Sequence, residues 1–208
     1  MFEIKNIEFK SGEKKLFSLE SEHIKRGQNT LLLGPSGCGK TTLMNIMAGL
    51  LKPASGEIVF ERKNYATMSE QQIDQLRANN FGFIFQTLHL IGHLSVAQNI
   101  ALVQTTSDPE RVQTLINELG LSGKEKQKAS DLSVGEAQRV AIARAVANNP
   151  KVIFADEPTS ALDDLSTKKV MDLIFDQAKK TGATIIAATH DDRIKKYFDT
   201  VLELGGAV

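Results

Sequence analysis

The chain has 208 residues, enough for one domain with a substantial core. Its 25 basic and 25 acidic side chains balance, which excludes the strong single-sign field of a general nucleic-acid binder or of a partner for acidic surfaces. The single cysteine, Cys38, excludes an internal disulfide and suits a reducing compartment.

In chain order, Met1–Phe9 alternates apolar and polar residues, as a half-buried strand does, and has no signal-peptide architecture. Lys15–Glu20 and the apolar run Asn29–Leu33 read as further strands. Gly34-Pro35-Ser36-Gly37-Cys38-Gly39-Lys40-Thr41 follows and fits G-x-x-x-x-G-K-[ST], the phosphate-binding loop. Glycines let the backbone curl so that successive N–H groups face an anion. A helix expected from about Gly39, continuing through Thr42–Ala48, offers its positive end to the same phosphates. Lys40 has the reach for the β- and γ-phosphates, and the Thr41 hydroxyl suits Mg²⁺. Strand, loop and helix stand in the order that this chemistry needs.

Lys52–Gly56 is a turn cluster, Gly56–Phe60 a strand, and Phe81–Phe85 a short buried run ending in Gln86. Helical spacing then takes over. Ser95–Val103 and Pro109–Leu119 read as helices, the second with Pro109 at its first position after Asp108. Lys124–Lys128 is a charged loop, and a third helix is expected from Val134 to Asn148, before Pro150. Val152–Ala155 is a strand, Ser166–Lys180 a helix with Gly182 just past its end, and Thr184–Thr189 a strand. Strands alternating with helices imply an α/β fold with a parallel sheet. Residues 1–86 and 151–208 are expected to form its catalytic core, with the helical stretch of about 87–150 inserted into it, all within one domain. No stretch is apolar for long enough to cross a bilayer, so a membrane role would run through another chain.

Two further features carry chemistry. Val152–Ala155 ends in Asp156-Glu157, and after a phosphate loop a strand-end Asp orients Mg²⁺ while the next carboxylate polarises the attacking water. Ser133 and Glu136 have capping-box spacing, which by itself explains both residues. Given the neighbouring motifs, the same helix start also reads as a second anion site, where Gly135 allows close backbone approach.

With these motifs in place, the chain resembles the ATPase subunits of ABC transporters over essentially its whole length. The order is phosphate loop, Gln86, the Leu132–Glu136 signature, Asp156-Glu157, Ser160–Asp163 as the D-loop, and His190 as the switch histidine. Gly82–Gln86 and Ala155–Thr159 resemble the lipoprotein-releasing and macrolide-exporter-like branch. The resemblance implies a RecA-like P-loop core with an N-terminal antiparallel β subdomain and an inserted α-helical one. It implies MgATP hydrolysis between two copies facing head to tail, driving an integral membrane permease from the cytoplasmic face of the inner membrane. Gly34–Thr41, Thr42 and Asp163 would contact nucleotide in one copy, and Ser133, Gly135 and Glu136 in the other. Thr41, Gln86 and Asp156 would serve Mg²⁺. Glu157 would be the general base, His190 would bind the γ-phosphate, and Gln86 would sense the water or the metal.

Val134 and Glu136 depart from the Gly and Gln usual in the signature. Glu136 is expected to be harmless if it turns back onto the helix end, and to weaken ATP contact if it faces the nucleotide. Ser11 stands where an aromatic commonly stacks on adenine; Phe9 and Phe17 are alternatives that read equally as core. Weak discrimination between ATP and GTP is expected. His89 and His93 are spaced as a metal pair on a helix, but the segment is loop-like, with Gly92 between them, and has no local carboxylate, so no metal is expected there. Leu88–Leu94 reads partly as packing and partly as a groove for a membrane partner's helix. Soluble ABC ATPases of nucleic-acid repair or of translation are the competing class. They carry coiled-coil or zinc insertions, or tandem cassettes with a basic linker, and none of these is in this sequence.

Overall fold

The structure is a computed structural model that describes residues 1–11, 14–160 and 162–205, without the side chains of 10, 11 and 14–17. In chain order the elements are β1 (Phe2–Ser11), β2 (Lys14–Ile24), β3 (Thr30–Leu33), α1 (Lys40–Met47), β4 (Ser55–Phe60), β5 (Lys63–Asn64), α2 (Glu70–Asn80), β6 (Phe81–Ile84), α3 (Val96–Ala101), α4 (Pro109–Glu118), α5 (Val134–Val146), β7 (Val152–Asp156), α6 (Asp164–Thr181), β8 (Thr184–Thr189) and β9 (Thr200–Glu203). They form two sheets. One is antiparallel in the order β2-β1-β4-β5, and the other is parallel in the order β6-β7-β8-β3-β9. This is the α/β architecture expected from the alternation of elements, with the antiparallel sheet at the N-terminal end.

The central strands are apolar because both their faces are covered. Every residue of β3 and β8 is buried, and only Asp156 emerges from β7. β1 alternates as expected only as far as Lys5. At Asn6 the backbone turns left-handed (φ 49°) and the pairing with β4 slips, so Ile7 rather than Asn6 faces the core. The two sheets meet through aromatic rings. Phe2 lies 4.8 Å from Phe60, Phe60 4.9 Å from Phe81, and Phe81 5.3 Å from Phe154, ring centre to ring centre. Each such buried ring contributes about 1.5–3 kcal/mol over its exposed state. Glu61 adds a polar tie across the same junction by pairing with Arg26 and, at 2.9 Å, with Lys151. The Lys151 ammonium, seconded by Arg26, holds the Glu61 carboxyl below the usual carboxylate range.

α5 lies close against β6 at Gly82. A methyl group on Gly82 would sit 1.9 Å from the Ala145 carbonyl oxygen, so no larger residue fits there. Buried Arg144 of α5 reaches from this contact to the loop after β6, donating to the His89 and Leu88 carbonyls at 2.7 and 2.6 Å. Asn99, wholly buried in α3, donates to the carbonyls of Ile91, Leu94 and Ser95 and accepts from the Ile91 N–H. The loop is therefore folded against α3 and α5. Leu90 packs on the larger apolar cluster, and Leu88, Ile91 and Leu94 are half-buried, so Leu88–Leu94 is mostly packing. His89 sits in this loop with φ 48° and its ring edge on Phe85.

Candidate nucleotide site

The site grows from the C-terminal ends of β3, β6, β7 and β8, where a parallel sheet opens its crevice. After β3 the chain turns through Gly37 (φ 79°) and Gly39 (φ 101°), conformations that strain a residue with a side chain. α1 then starts at Lys40 with no side chain capping it, unlike α2, α3 and α5, which each close with a capping box. Its first N–H groups are thus left for another acceptor. Lys40 is buried and curls back over the loop, donating to the carbonyls of Gly34 and Pro35 at 2.8 and 2.9 Å. Cys38 is buried beneath, while Pro35, Ser36 and Gly37 face solvent. Uncapped helix start, curled glycines and inward lysine together make an anion cradle.

Asp156 comes to the mouth of this cradle from β7, and the Thr41 hydroxyl donates to it at 3.0 Å; Thr42 beside it is half-buried. Burial raises the Asp156 carboxyl above the ordinary range, with Thr41 opposing. Hydroxyl and carboxylate are hard oxygen donors of the kind Mg²⁺ takes. The next residue, Glu157, has φ 47°, a left-handed backbone rare for a side chain of that size. Its N–H donates to the Ala188 carbonyl of β8 at 2.8 Å. Its carboxylate is gripped from the end of β8: Oε2 accepts from Thr189 Oγ1 at 2.8 Å, and Oε1 lies 2.8 Å from His190 Nδ1. Gln86, exposed just past β6, donates to Ser160 Oγ at 3.3 Å, and Ser160 donates in turn to the Glu157 carbonyl.

Three sequence-derived residues have partners within their own helix starts. Asp163 is the N-cap of α6, accepting from Ser166 N and Oγ at 2.9 Å. Ser133 and Glu136 close a full capping box on α5, with Glu136 Oε2 accepting from the Ser133 N–H at 2.9 Å. The other Glu136 oxygen pairs with Lys124 at 2.6 Å. Glu136 therefore turns back onto its own helix end, and Val134 beside it is 75% exposed. Among the described residues no hydrogen bond or ion pair joins Ser133, Gly135 or Glu136 to the phosphate loop. The Phe9 ring packs on the smaller apolar cluster, whereas the side chains of Ser11 and Phe17 lie outside the described residues, as does Ala161.

Lys124, followed by the Ser133 N–H, holds the Glu136 carboxyl at about 2, against an ordinary value of 4.5. A depressed carboxylate contributes stability that is present above its unfolded pKa and lost as pH falls through the folded one. The contribution of this cap is thus expected to fade between about pH 4.5 and 2. In Lys124→Ala the Glu136 titration midpoint should move up toward 4.5 in carboxyl carbon NMR. An unmoved midpoint would show that Lys124 does not set it.

The profile of the ABC transporter family matches residues 20–160, two thirds of the sequence. The chain belongs to the ABC transporter family. It is 39% identical to an ABC transporter ATP-binding protein, MJ1508, of Methanocaldococcus jannaschii, over 98% of this chain and 95% of that one. It is 41% identical to the macrolide export ATP-binding/permease protein MacB 2 of Aeromonas hydrophila over 98% of this chain, and 37% identical to the lipoprotein-releasing system ATP-binding protein LolD of Legionella pneumophila over 87%. It spans 33% of the MacB 2 chain but 82% of LolD, so several of its relatives carry this cassette as about a third of a longer protein. The solved dimeric, post-hydrolysis structure of the ATP-binding cassette MJ0796, bound to ADP and Pi, superposes with a TM-score of 0.85 at 31% identity, covering 98% of this chain. The fold is that of an ABC ATPase cassette, RecA-like in its parallel sheet, and the branch is the one that Gly82–Gln86 and Ala155–Thr159 resemble. Among the described residues no helix is long and apolar enough to cross a membrane.

Proposed function

We propose that the chain is the ATP-hydrolysing subunit of a membrane-coupled ABC machine, working as two copies that face head to tail. The observation that carries this is the convergence of Lys40, Thr41, Asp156, Glu157, Gln86 and His190 at one end of the parallel sheet, around an uncapped helix start. In this reading the Gly34–Thr41 backbone, Lys40 and Thr42 hold the ATP phosphates. Thr41, Asp156 and Gln86 would hold the Mg²⁺ that accompanies ATP, which would supply charge compensation for the phosphates. Glu157 takes the proton of the attacking water, and its hold on Thr189 and His190 aims the carboxylate. His190, engaged through Nδ1, keeps Nε2 for the γ-phosphate. The helix start at Ser133 and Gly135 serves the ATP of the second copy, with Asp163 at the junction, and Glu136 contributes by fixing the cap. Purified protein should release phosphate from MgATP, and Lys40→Ala should lose nucleotide binding itself; nucleotide binding unchanged in Lys40→Ala would contradict the reading.

The partner proposed is an integral membrane permease subunit at the cytoplasmic face of the inner membrane, with the 87–150 segment as the receiving subdomain and no nucleic acid involved. A groove of about 430 Å³ beside the loop after Gln86 supports it, lined by Phe83, Phe85, His89, Leu102, Val103 and Arg144 among others. Leu102 and Val103 expose 53% and 41% of their surface, which an apolar helix face would cover. Leu102→Asp should leave soluble phosphate release intact and move the protein from the membrane pellet to the supernatant on sedimentation. Membrane association equal to the parent's would place the contact elsewhere.

A further inference from the structure

We propose that Arg193 is a positioning residue for the Glu157–His190 pair, tying the segment after Glu157 to the turn that carries His190. The inference rests on the proposed role of that pair. Arg193 lies on the short 3₁₀ helix Asp192–Tyr197, three residues past His190. Its guanidinium forks onto Asp191, with Nε donating to Oδ1 and Nη2 to Oδ2, both at 2.8 Å. The same group then crosses to the other segment. Nη1 donates to Asp164 Oδ1 at 2.5 Å, and Nη2 to the Leu162 carbonyl at 3.2 Å.

The anchor at the Asp191 end is firm. Asp191 has only 9% of its side chain exposed and accepts a further hydrogen bond from Thr159 Oγ1, itself wholly buried. The Asp191 N–H donates to Thr189 Oγ1, the hydroxyl that donates to the Glu157 carboxylate. One continuous chain of bonds therefore runs from Leu162 and Asp164 through Arg193, Asp191 and Thr189 to Glu157. Asp163, between Leu162 and Asp164, stands at the junction of the two copies in the proposed function, so displacement of that segment would have a direct route to the carboxylate. A lysine has the charge to replace one arm of this bridge but lacks the fork to replace all four contacts.

The test compares the parent with Arg193→Ala, Arg193→Lys, Asp164→Ala and the double variant Arg193→Ala/Asp164→Ala. Three quantities are read: kcat, the dissociation constant for MgATP, and the His190 ring signal among the four histidines in carbon-detected NMR. Arg193→Ala should lower kcat about tenfold or more, leave MgATP binding within about twofold, and shift the His190 signal while those of His23, His89 and His93 stay. Arg193→Lys should recover part of kcat. Asp164→Ala, an exposed change that leaves the Arg193–Asp191 fork intact, should lower kcat less, and the double variant should be no worse than Arg193→Ala alone. A His190 signal unmoved by Arg193→Ala and Asp164→Ala alike, or kcat within twofold of the parent in both, overturns the proposal. Failure of the underlying site reading looks different: Glu157→Gln would then turn over at the parent rate while Arg193→Ala still shifted His190.

Discussion

Glu157→Gln is expected to bind MgATP as tightly as the parent and to hydrolyse it about 10²–10⁴-fold more slowly. The amide is isosteric with the carboxylate. Its oxygen still accepts from Thr189 Oγ1, and its NH₂ donates to His190 Nδ1 when the ring carries its proton on Nε2, so the left-handed backbone at this position and the end of β8 keep their ties. What it loses is the capacity to take a proton, while His190 is committed to the γ-phosphate in this reading. Asp156 is already engaged by Thr41, and Gln86 is itself an amide. The loss corresponds to about 3–6 kcal/mol of transition-state stabilisation at about 1.4 kcal/mol per decade. With cleavage blocked and binding intact, the variant should accumulate as an ATP-bound dimer, which size-exclusion chromatography with MgATP would show. Lys40→Ala separates the two functions from the other side, because it loses affinity for the phosphates. Parent-rate turnover in Glu157→Gln would remove Glu157 from the role of base.

The parts of this fold that show in the sequence are those whose cause is local. The β3–loop–α1 unit is written in adjacent residues, since the glycines, Lys40 and Thr41 act through neighbouring backbone. β7 and β8 show as unbroken apolar runs because both faces of a central parallel strand are covered. α2 does not show in this way. It buries only Ile73 and Leu76, too few for a periodic stripe, and its one local signal is the Ser69–Gln72 capping box. β9 is a four-residue edge strand whose existence depends on pairing with distant β3. The slip at Asn6 and the burial of Leu90 are likewise set by partners remote in sequence, Ile58–Glu57 of β4 in one case and the α3–α5 packing in the other. Order along the chain singled out the side chains that are proposed to carry the chemistry. The bonds of Glu157 to Thr189 and His190, and of Arg193 to Asp164, needed the fold, because they join residues about thirty positions apart. The Lys124–Glu136 pair explains how an acidic residue stands at the signature helix start without facing outward with its charge uncompensated.

The composite arrangement has the largest consequence. Lys40 and Ser133 have no bond to one another within the chain, and the proposed function brings them to one ATP only from different copies. A homodimer of Lys40→Ala has two damaged phosphate loops, and a homodimer of Ser133→Arg has two obstructed signature helices, where a bulky cation replaces the cap of α5. Each should be inactive. In a hybrid, the Ser133→Arg copy contributes an intact phosphate loop and the Lys40→Ala copy an intact signature helix, so one site is whole and the other carries both defects. The measurement is nucleotide trapping beside phosphate release in hybrids purified through two different affinity tags. Recovery of trapping at one nucleotide per dimer, with hydrolysis above both parent homodimers, is the result predicted. Hybrids verified by both tags that neither trap nucleotide nor release phosphate would contradict the assignment of Ser133 to the ATP of the other copy.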